Sequence, residues 1–269
     1  MTMKLSDAQL ERLRAIDSPT IANAIERFKL RDDTVGFTGI QTRCLFPRLG
    51  TMVGYAVTVL ADASTPGPRR GREVTMRMWE AVASSPRPAV LVMKDVGPRR
   101  SHACHFGDVM CNTAQRLGAI GLVTDGGVRD LKEVEEMGFH YFAPGPVVSH
   151  GTATFIDVGT PVEIDGVLIR PGDLLHDDAN GLVVIPDACA AQVADEFEKV
   201  RAEEQAMIAW INSPEFSLAQ LRRRWGLKDG AIGWRRCQLR QSGAGDPRSG
   251  DPHRGGLHLG LAQLRLKRL

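Results

Sequence analysis

Three short apolar runs, at 89–93 (AVLVM), 120–124 (IGLVT) and 141–143, are separated by two stretches, 109–117 and 131–137, whose apolar residues recur at helical spacing. Runs this short and this apolar suit strands buried on both faces. Their alternation with helices predicts an α/β layer with a parallel sheet. After Gly151 the pattern changes to short β-branched segments at 154–158, 162–164, 167–169 and 182–185, punctuated by Asp165-Gly166, Pro171-Gly172 and Asn180-Gly181 turns. Ahead of the layer, 6–28 has helical spacing broken at Asp17-Ser18-Pro19, 52–60 alternates like a strand, and 73–84 reads as a helix behind a Gly/Pro/Arg loop at 65–72. Helices resume over 188–211 and 218–224. The organisation expected is an N-terminal helical segment over 1–36, an α/β domain over 37–212, a helical extension over 213–240 and a basic tail without fixed structure over 241–269.

A chain of 269 residues buries enough surface to need neither disulfides nor a structural metal. The five cysteines include no C-x-x-C pair, which argues for reduced thiols and against a zinc ribbon. No apolar run approaches the roughly 20 residues that span a bilayer, and no leader-like segment opens the chain, so a cytoplasmic protein without membrane contact is expected. The net charge of +2 hides a basic end: residues 222–269 carry 12 Lys/Arg against 3 Asp/Glu. Its stretch 241–256, rich in Gly, Pro, Asp and Arg, has no aromatic residue to stack a base, so nucleic acid is not the expected partner.

The segment Thr124-Asp125-Gly126-Gly127-Val128-Arg129-Asp130 lies between a buried strand and a helix, where ligands collect in α/β layers. The two glycines permit unusual backbone angles and close approach of a ligand to the backbone. Arg129 offers a planar fork for a carboxylate or enolate oxygen, and Asp130 a hard oxygen for a divalent cation. The same residues also read as a capping box, Asp130 with Glu133, which alone would stabilise the helix by about 1 kcal/mol. Upstream, Gly107-Asp108 stands at a second loop-to-helix junction, and Asp108 too could be only a cap.

Together the two segments give Gly107-Asp108, twenty intervening residues, then Arg129-Asp130. With residues 54–59 (GYAVTV), Pro161-Val162, Gly166-Val167, Arg170-Pro171-Gly172-Asp173, Asp177-Asp178 and 181–186 (GLVVIP), this order resembles the RraA-like family over roughly 18–204. That family includes the 4-hydroxy-4-methyl-2-oxoglutarate and 4-carboxy-4-hydroxy-2-oxoadipate aldolases. The resemblance implies an α/β chain of RraA-like swivelling β/β/α three-layer fold with flanking helices, assembled as a homotrimer or homohexamer with sites between subunits. It implies a class II pyruvate aldolase that takes an oxo-acid substrate and also decarboxylates oxaloacetate. Asp130 would bind Mg²⁺ or Mn²⁺, and Asp108 would hold metal-bound waters. Arg129 would contact the pyruvyl oxygen, while Gly107 and the N–H groups of Val109 and Met110 would hold its carboxylate. Glu203 or Glu204, from a neighbouring subunit, would assist proton transfer. The family also has non-catalytic members that bind a ribonuclease, and they tend to lack an aspartate where this chain has Asp108. A methyltransferase designation also used in the family fits poorly, because no Gly-rich loop follows an early strand.

Other residues read more plainly. His102-Ala103-Cys104-His105 lacks a second ligand pair at zinc spacing and is expected to flank the loop ahead of Asp108. His150 and His176 read as turn residues, Asp173 and Asp62 as structural, and Lys94 as a strand-end lysine reaching solvent.

Overall fold

The computed structural model describes residues 4–68 and 71–227. The chain opens with α1 (Asp7–Arg14) and α2 (Ser18–Glu26), followed by β1 (Arg43–Cys44), β2 (Met52–Asp62), α3 (Arg72–Ser84) and β3 (Ala89–Asp95). Next come α4 (Asp108–Leu117), β4 (Ala119–Thr124), α5 (Leu131–Glu136) and β5 (His140–Ala143). Then follow β6 (Thr154–Val158), β7 (Val162–Ile164), β8 (Val167–Ile169), β9 (Leu174–Asp178), β10 (Gly181–Ile185) and α6 (Val193–Ile211). A second unit begins at Ser217 and contains α7 (Leu218–Arg224). The predicted tail over 241–269 lies outside the described residues.

The N-terminal helices start where the sequence supplies caps. Ser6 and Gln9 form a reciprocal capping box on α1, and Asp17 accepts the Thr20 N–H at 2.9 Å with Pro19 in the first turn of α2. Strands β2, β3, β4 and β5 are parallel neighbours, as the alternating pattern requires. Strand β2 has 11 residues and pairs antiparallel with two strands along its other edge, Met52–Tyr55 with β9 and Val59–Asp62 with β6. Strand β1 adds antiparallel to β5, and β10 to β9, giving an eight-stranded mixed sheet; β7 and β8 form a separate hairpin.

One face of the sheet (Val57, Leu91, Met93 and Leu122) packs on α3, α4 and α5 through Met78, Val82, Cys111, Ala114 and Val134. The opposite face (Met52, Ala56, Val90, Val92, Val123 and Phe142) is covered by Val162, Ile164, Val167 and Ile169 of the hairpin. This is a β/β/α arrangement: hairpin, sheet, helices. A third cluster seats α1, α2 and α6 over Val53, Tyr55, Leu174 and Val183. Full burial of side chains of this size stabilises by roughly 1.5–3 kcal/mol each, which makes the central strands the rigid base of the molecule.

Three elements depart from expectation. Strand β9 was not predicted, because LLHDD ends in three polar residues that resemble a turn. They are buried: His176 Nε2–H donates to the Leu13 carbonyl at 3.0 Å, and its Nδ1 accepts from the Ser18 hydroxyl at 2.9 Å. The Ser18 N–H donates to Asp178 at 2.8 Å, so His176 and Asp178 anchor the N-terminal helices rather than form a loop. Strand β1 has only two residues and carries no periodicity to read. Helix α6 begins at Val193 instead of 188, because residues from Cys189 to Gln192 form tight turns. Among the described residues no helix is long and apolar enough to cross a membrane, and Cys44, Cys104, Cys111 and Cys189 are free thiols. Cys237 lies outside the described residues.

Candidate active site

The loop from Asp125 to Asp130 leaves the C-terminal end of β4 and is stitched to both neighbours. Cys104 bridges to Gly127 and Val128 to Pro146; the Arg129 N–H donates to the Phe106 carbonyl at 3.3 Å, and the Val147 N–H to the Val128 carbonyl at 2.8 Å. Neither Gly126 nor Gly127 has a positive φ, contrary to one sequence expectation. A side chain at 127 would strike Val147 at 2.5 Å, and one at 126 would touch Asp95, so the protein itself occupies the space these glycines open.

This stitching brings Arg129 and Asp130 against the start of α4. Asp130 holds the N-cap position of α5 without capping it through its side chain. It sits in the left-handed region (φ 57°, ψ 45°), and its side chain makes no cap bond to α5. Its Oδ2 instead accepts the Asp108 N–H at 3.0 Å, with the Arg129 Nε 3.4 Å away. Asp108 does not cap either: Gly107 holds the N-cap position, and Asp108 Oδ1 accepts the adjacent Val109 N–H at 2.7 Å. Both capping alternatives therefore fail for one reason, that the carboxylates are engaged across and along the α4 N-terminus. Gly107 is needed for close approach, since a Cβ there would lie 2.2 Å from Asp130 Oδ2 and 2.8 Å from Arg129 Nε.

The cleft in front of these groups has a volume of about 270 Å³ and is walled by Cys104, His105, Phe106, the 107–110 turn, Arg129 and His150. The first turn of α4 offers backbone N–H groups lacking intrahelical acceptors, and its dipole favours an anion there. Arg129 is half-buried, and its Nε has no hydrogen-bond partner in the chain. Burial pushes the Cys104 thiol up to about 11, against the lowering influence of Arg129, so it is not a nucleophile at neutral pH.

The donor set fits a hard divalent cation. Asp108 and Asp130 place two carboxylates at the same helix end, Asp130 on the Asp108 N–H and Asp108 on the Val109 N–H, and among the described residues no cluster of three or more His, Cys, Asp and Glu is placed to hold a metal. Mg²⁺ keeps several waters and needs only one or two carboxylates, whereas structural zinc would need a closed set of four ligands.

Glu203 and Glu204 are not at this cleft in the chain. Glu203 pairs with Arg27 at 2.5 Å, and Glu204 accepts from the Asn23 side chain at 3.1 Å, both on the α2 side of α6. Lys94 does not reach free solvent as expected. It bridges Asp125 (2.9 Å) and Glu163 (3.0 Å), while Arg100 adds a second ion pair to Asp125 at 2.7 Å. These residues line a larger cleft of about 770 Å³, in which Lys94 and Arg100 are already paired with carboxylates, and the smaller cleft is the better placed for chemistry. Asp62 and Asp173 are structural as expected, accepting the Ser64, Thr65 and Arg170 N–H groups at 2.8–2.9 Å.

Sequence reasoning missed Asp95. It is fully buried at the end of β3, accepts the Gly97 N–H at 2.6 Å, and accepts from His105 Nε2–H at 2.9 Å. The available signal was its place at the carboxyl end of a buried strand.

A family model described as RraA-like (Aldolase/RraA) matches residues 2–184. A protein of Halalkalibacterium halodurans named "Putative 4-hydroxy-4-methyl-2-oxoglutarate aldolase" is 35% identical over 101 residues, 37% of this chain and 48% of that protein. A protein of that name from Azotobacter vinelandii is 34% identical over 83 residues, 30% of this chain and 51% of its own length, so the chain spans about half the length of these curated relatives. Among solved structures, an uncharacterized protein from Pseudomonas syringae superposes with a TM-score of 0.63 at 24% identity, covering 83% of this chain and 97% of the other. Streptomyces coelicolor RraAS2, described as an unusual member of the RNase ES inhibitor RraA protein family, superposes with a TM-score of 0.59 at 24% identity, covering 76% and 98%. At these identities the superpositions establish the fold alone.

Proposed function

The chain belongs to the RraA-like family, and from that premise we propose that it is a divalent-metal-dependent lyase. The proposed reaction cleaves a 4-hydroxy-2-oxo diacid of the 4-hydroxy-4-methyl-2-oxoglutarate type to pyruvate, with oxaloacetate decarboxylation as a second reaction. The observation that carries the reading is the meeting of Arg129, Asp130 and Asp108 at the N-terminus of α4.

Cleavage beta to a ketone leaves its electron pair as an enolate, so positive charge is needed where that negative charge develops. Arg129, whose Nε lies beside Asp130 but makes no hydrogen bond, directs its guanidinium to the pyruvyl oxygen. The substrate carboxylate takes the N–H groups of Val109 and Met110, displacing Asp108 Oδ1 from Val109. Asp130 and Asp108 would hold Mg²⁺ or Mn²⁺, which when bound acts as a Lewis acid on the oxo-acid oxygens. The residues that do not react keep the site in shape: Gly107 admits Asp130 to the helix end, and the stitched loop fixes Arg129.

The test is pyruvate release from oxaloacetate and from 4-hydroxy-4-methyl-2-oxoglutarate, with Mg²⁺ and after EDTA. Loss of both activities on chelation and recovery on metal addition is expected, and equal rates in the two conditions defeat the metal-dependent reading. The alternative, a non-catalytic oligomeric regulator that binds a ribonuclease or other macromolecule, predicts no turnover of any oxo acid. The cleft is open and has Asp108, Arg129 and His150 in its lining, which favours the enzyme. Assembly as a trimer or hexamer belongs to the same proposal. Val109 in the cleft lining is 71% exposed, Val148 two residues before His150 is 96% exposed, and an adjoining subunit would cover them. Sedimentation of the full chain tests it, and a monomer would refute it.

A further inference from the structure

A retro-aldol reaction needs a proton acceptor for the C4 hydroxyl, and the cleft walls can be searched for one residue by residue. The Arg129 guanidinium offers only donors and no acceptor. The Cys104 thiol is held in its protonated form by burial. His105 lies 4% exposed; its Nε2–H is committed to Asp95, and its Nδ1 is enclosed by protein. Asp108 and Asp130 are committed to the α4 N-terminus and to the cation they would share. Glu203 and Glu204 are paired with α2 side chains. One group is left in the wall, His150.

The geometry points to His150 as a catalytic residue that takes the C4 hydroxyl proton and later returns it, an inference that rests on the aldolase reading above. His150 is exposed on its turn and lines the cleft with Arg129. Its Nδ1 lies 2.7 Å from the Gly151 carbonyl, an oxygen that can only accept, so Nδ1 carries the hydrogen. In the neutral ring that tautomer leaves the lone pair on Nε2, the form a general base requires.

The turn is also held in place. The Cys104 N–H donates to the Ser149 carbonyl at 3.0 Å, the Thr152 N–H to the Ala63 carbonyl at 2.9 Å, and the Gly151 N–H to the Ser149 hydroxyl at 3.1 Å. Gly151 adopts φ 51°, and a Cβ there would lie 2.0 Å from the Ala63 carbonyl, so a side chain at 151 would push the turn away from Ala63.

The step balances without an oxidant. Nε2 accepts the hydroxyl proton as C4–O becomes a carbonyl. The C3–C4 bond breaks, its electron pair passes to C3 and into the C2 carbonyl as the enolate facing Arg129, and the proton on Nε2 goes to C3. With 4-hydroxy-4-methyl-2-oxoglutarate both fragments are pyruvate. Oxaloacetate carries no C4 hydroxyl, so its decarboxylation needs no such base.

That difference supplies the experiment. The full chain and its His150→Ala and His150→Gln variants are assayed with Mg²⁺ on both substrates. Thermal protection by oxalate plus Mg²⁺ provides a readout independent of turnover. Cleavage in both variants is expected to fall on the order of 100-fold further than decarboxylation. Oxalate protection should persist, and added imidazole should partly restore cleavage in His150→Ala. Cleavage retained within threefold, or an equal fall in both reactions, overturns the inference. So does loss of cleavage in Glu203→Gln or Glu204→Gln but not in the His150 variants, which would place the base on a second copy. Wild-type protein that decarboxylates oxaloacetate without cleaving the hydroxy acid also overturns it. Inactivity on both substrates defeats the aldolase reading itself.

Discussion

The carboxylate of Asp130 accepts the backbone N–H of Asp108 at 3.0 Å, tying the residue ahead of α5 to the first residue of α4. The bond holds Asp130 in a left-handed conformation that costs a non-glycine residue roughly 1–2 kcal/mol, and it places the Arg129 guanidinium beside the same helix end. Strain of this kind persists where surrounding structure overdetermines it, here the stitched loop on one side and the α4 N-terminus on the other.

Gly107→Ala tests how close that approach is. A methyl group at 107 meets Asp130 Oδ2 at 2.2 Å, so Asp130 and Arg129 must move. Pyruvate-forming activity is expected to fall on the order of 100-fold, the cost of misplacing reacting groups by about 1 Å. The melting temperature should fall by only a few degrees. Full activity in steady-state kinetics would show that the helix end does not take part.

Asp130→Asn and Arg129→Lys separate charge from shape. Asparagine tolerates the left-handed conformation and can still accept the Asp108 N–H, so the fold should survive while Mg²⁺ affinity, measured by calorimetry, falls at least tenfold. Lysine keeps a charge but loses the planar fork, so turnover should fall on the order of 100-fold with little change in stability. An Asp130→Asn protein that binds Mg²⁺ like wild type would remove Asp130 from the cation site.

His140 makes stability depend on pH. Burial lowers its pKa to about 4 in the folded protein, against 6.5 for the free side chain. Between these values the unfolded chain binds a proton that the folded chain does not, so stability falls as pH drops from 6.5 towards 4 and is fully present above 6.5. The contribution is on the order of 3 kcal/mol. Urea denaturation of wild type and His140→Phe at pH 7 and pH 4.5 should show a smaller acid loss in the variant, and parallel curves would refute the assignment.

Asp177 has the opposite sign. Both carboxylate oxygens are buried without a partner in the apolar layer between sheet and hairpin, which pushes the carboxyl well above its usual range. Its stabilising neutral form is present below the unfolded value and is lost as pH rises through the folded one. Asp177→Asn should therefore raise the melting temperature at pH 8 more than at pH 4. An equal shift at both pH values would show that packing, not charge, sets the difference.

The strands and helices from 89 to 143 were legible because strong apolar periodicity fixes both element type and the face that is buried. Strand β9 was not, since His176, Asp177 and Asp178 look solvent-loving until Ser18 and Leu13 are brought against two of them from more than 150 residues away. Lys94 was misread for the same reason: its partners Asp125 and Glu163 converge only in the folded sheet.

At the candidate site, sequence by itself determined that Gly107-Asp108 and Arg129-Asp130 stand at two loop-to-helix junctions of an α/β layer. It left capping open for both aspartates, because a cap is a local pattern and both segments satisfy it. Tertiary structure decided the matter by laying the two junctions side by side, so that Asp130 bonds to α4 instead of α5, and it alone put His150 in the wall of the same cleft. Local propensity can specify where a helix begins, but which distant carboxylate meets its exposed N–H groups depends on parallel strand pairing, and that is a property of the whole sheet.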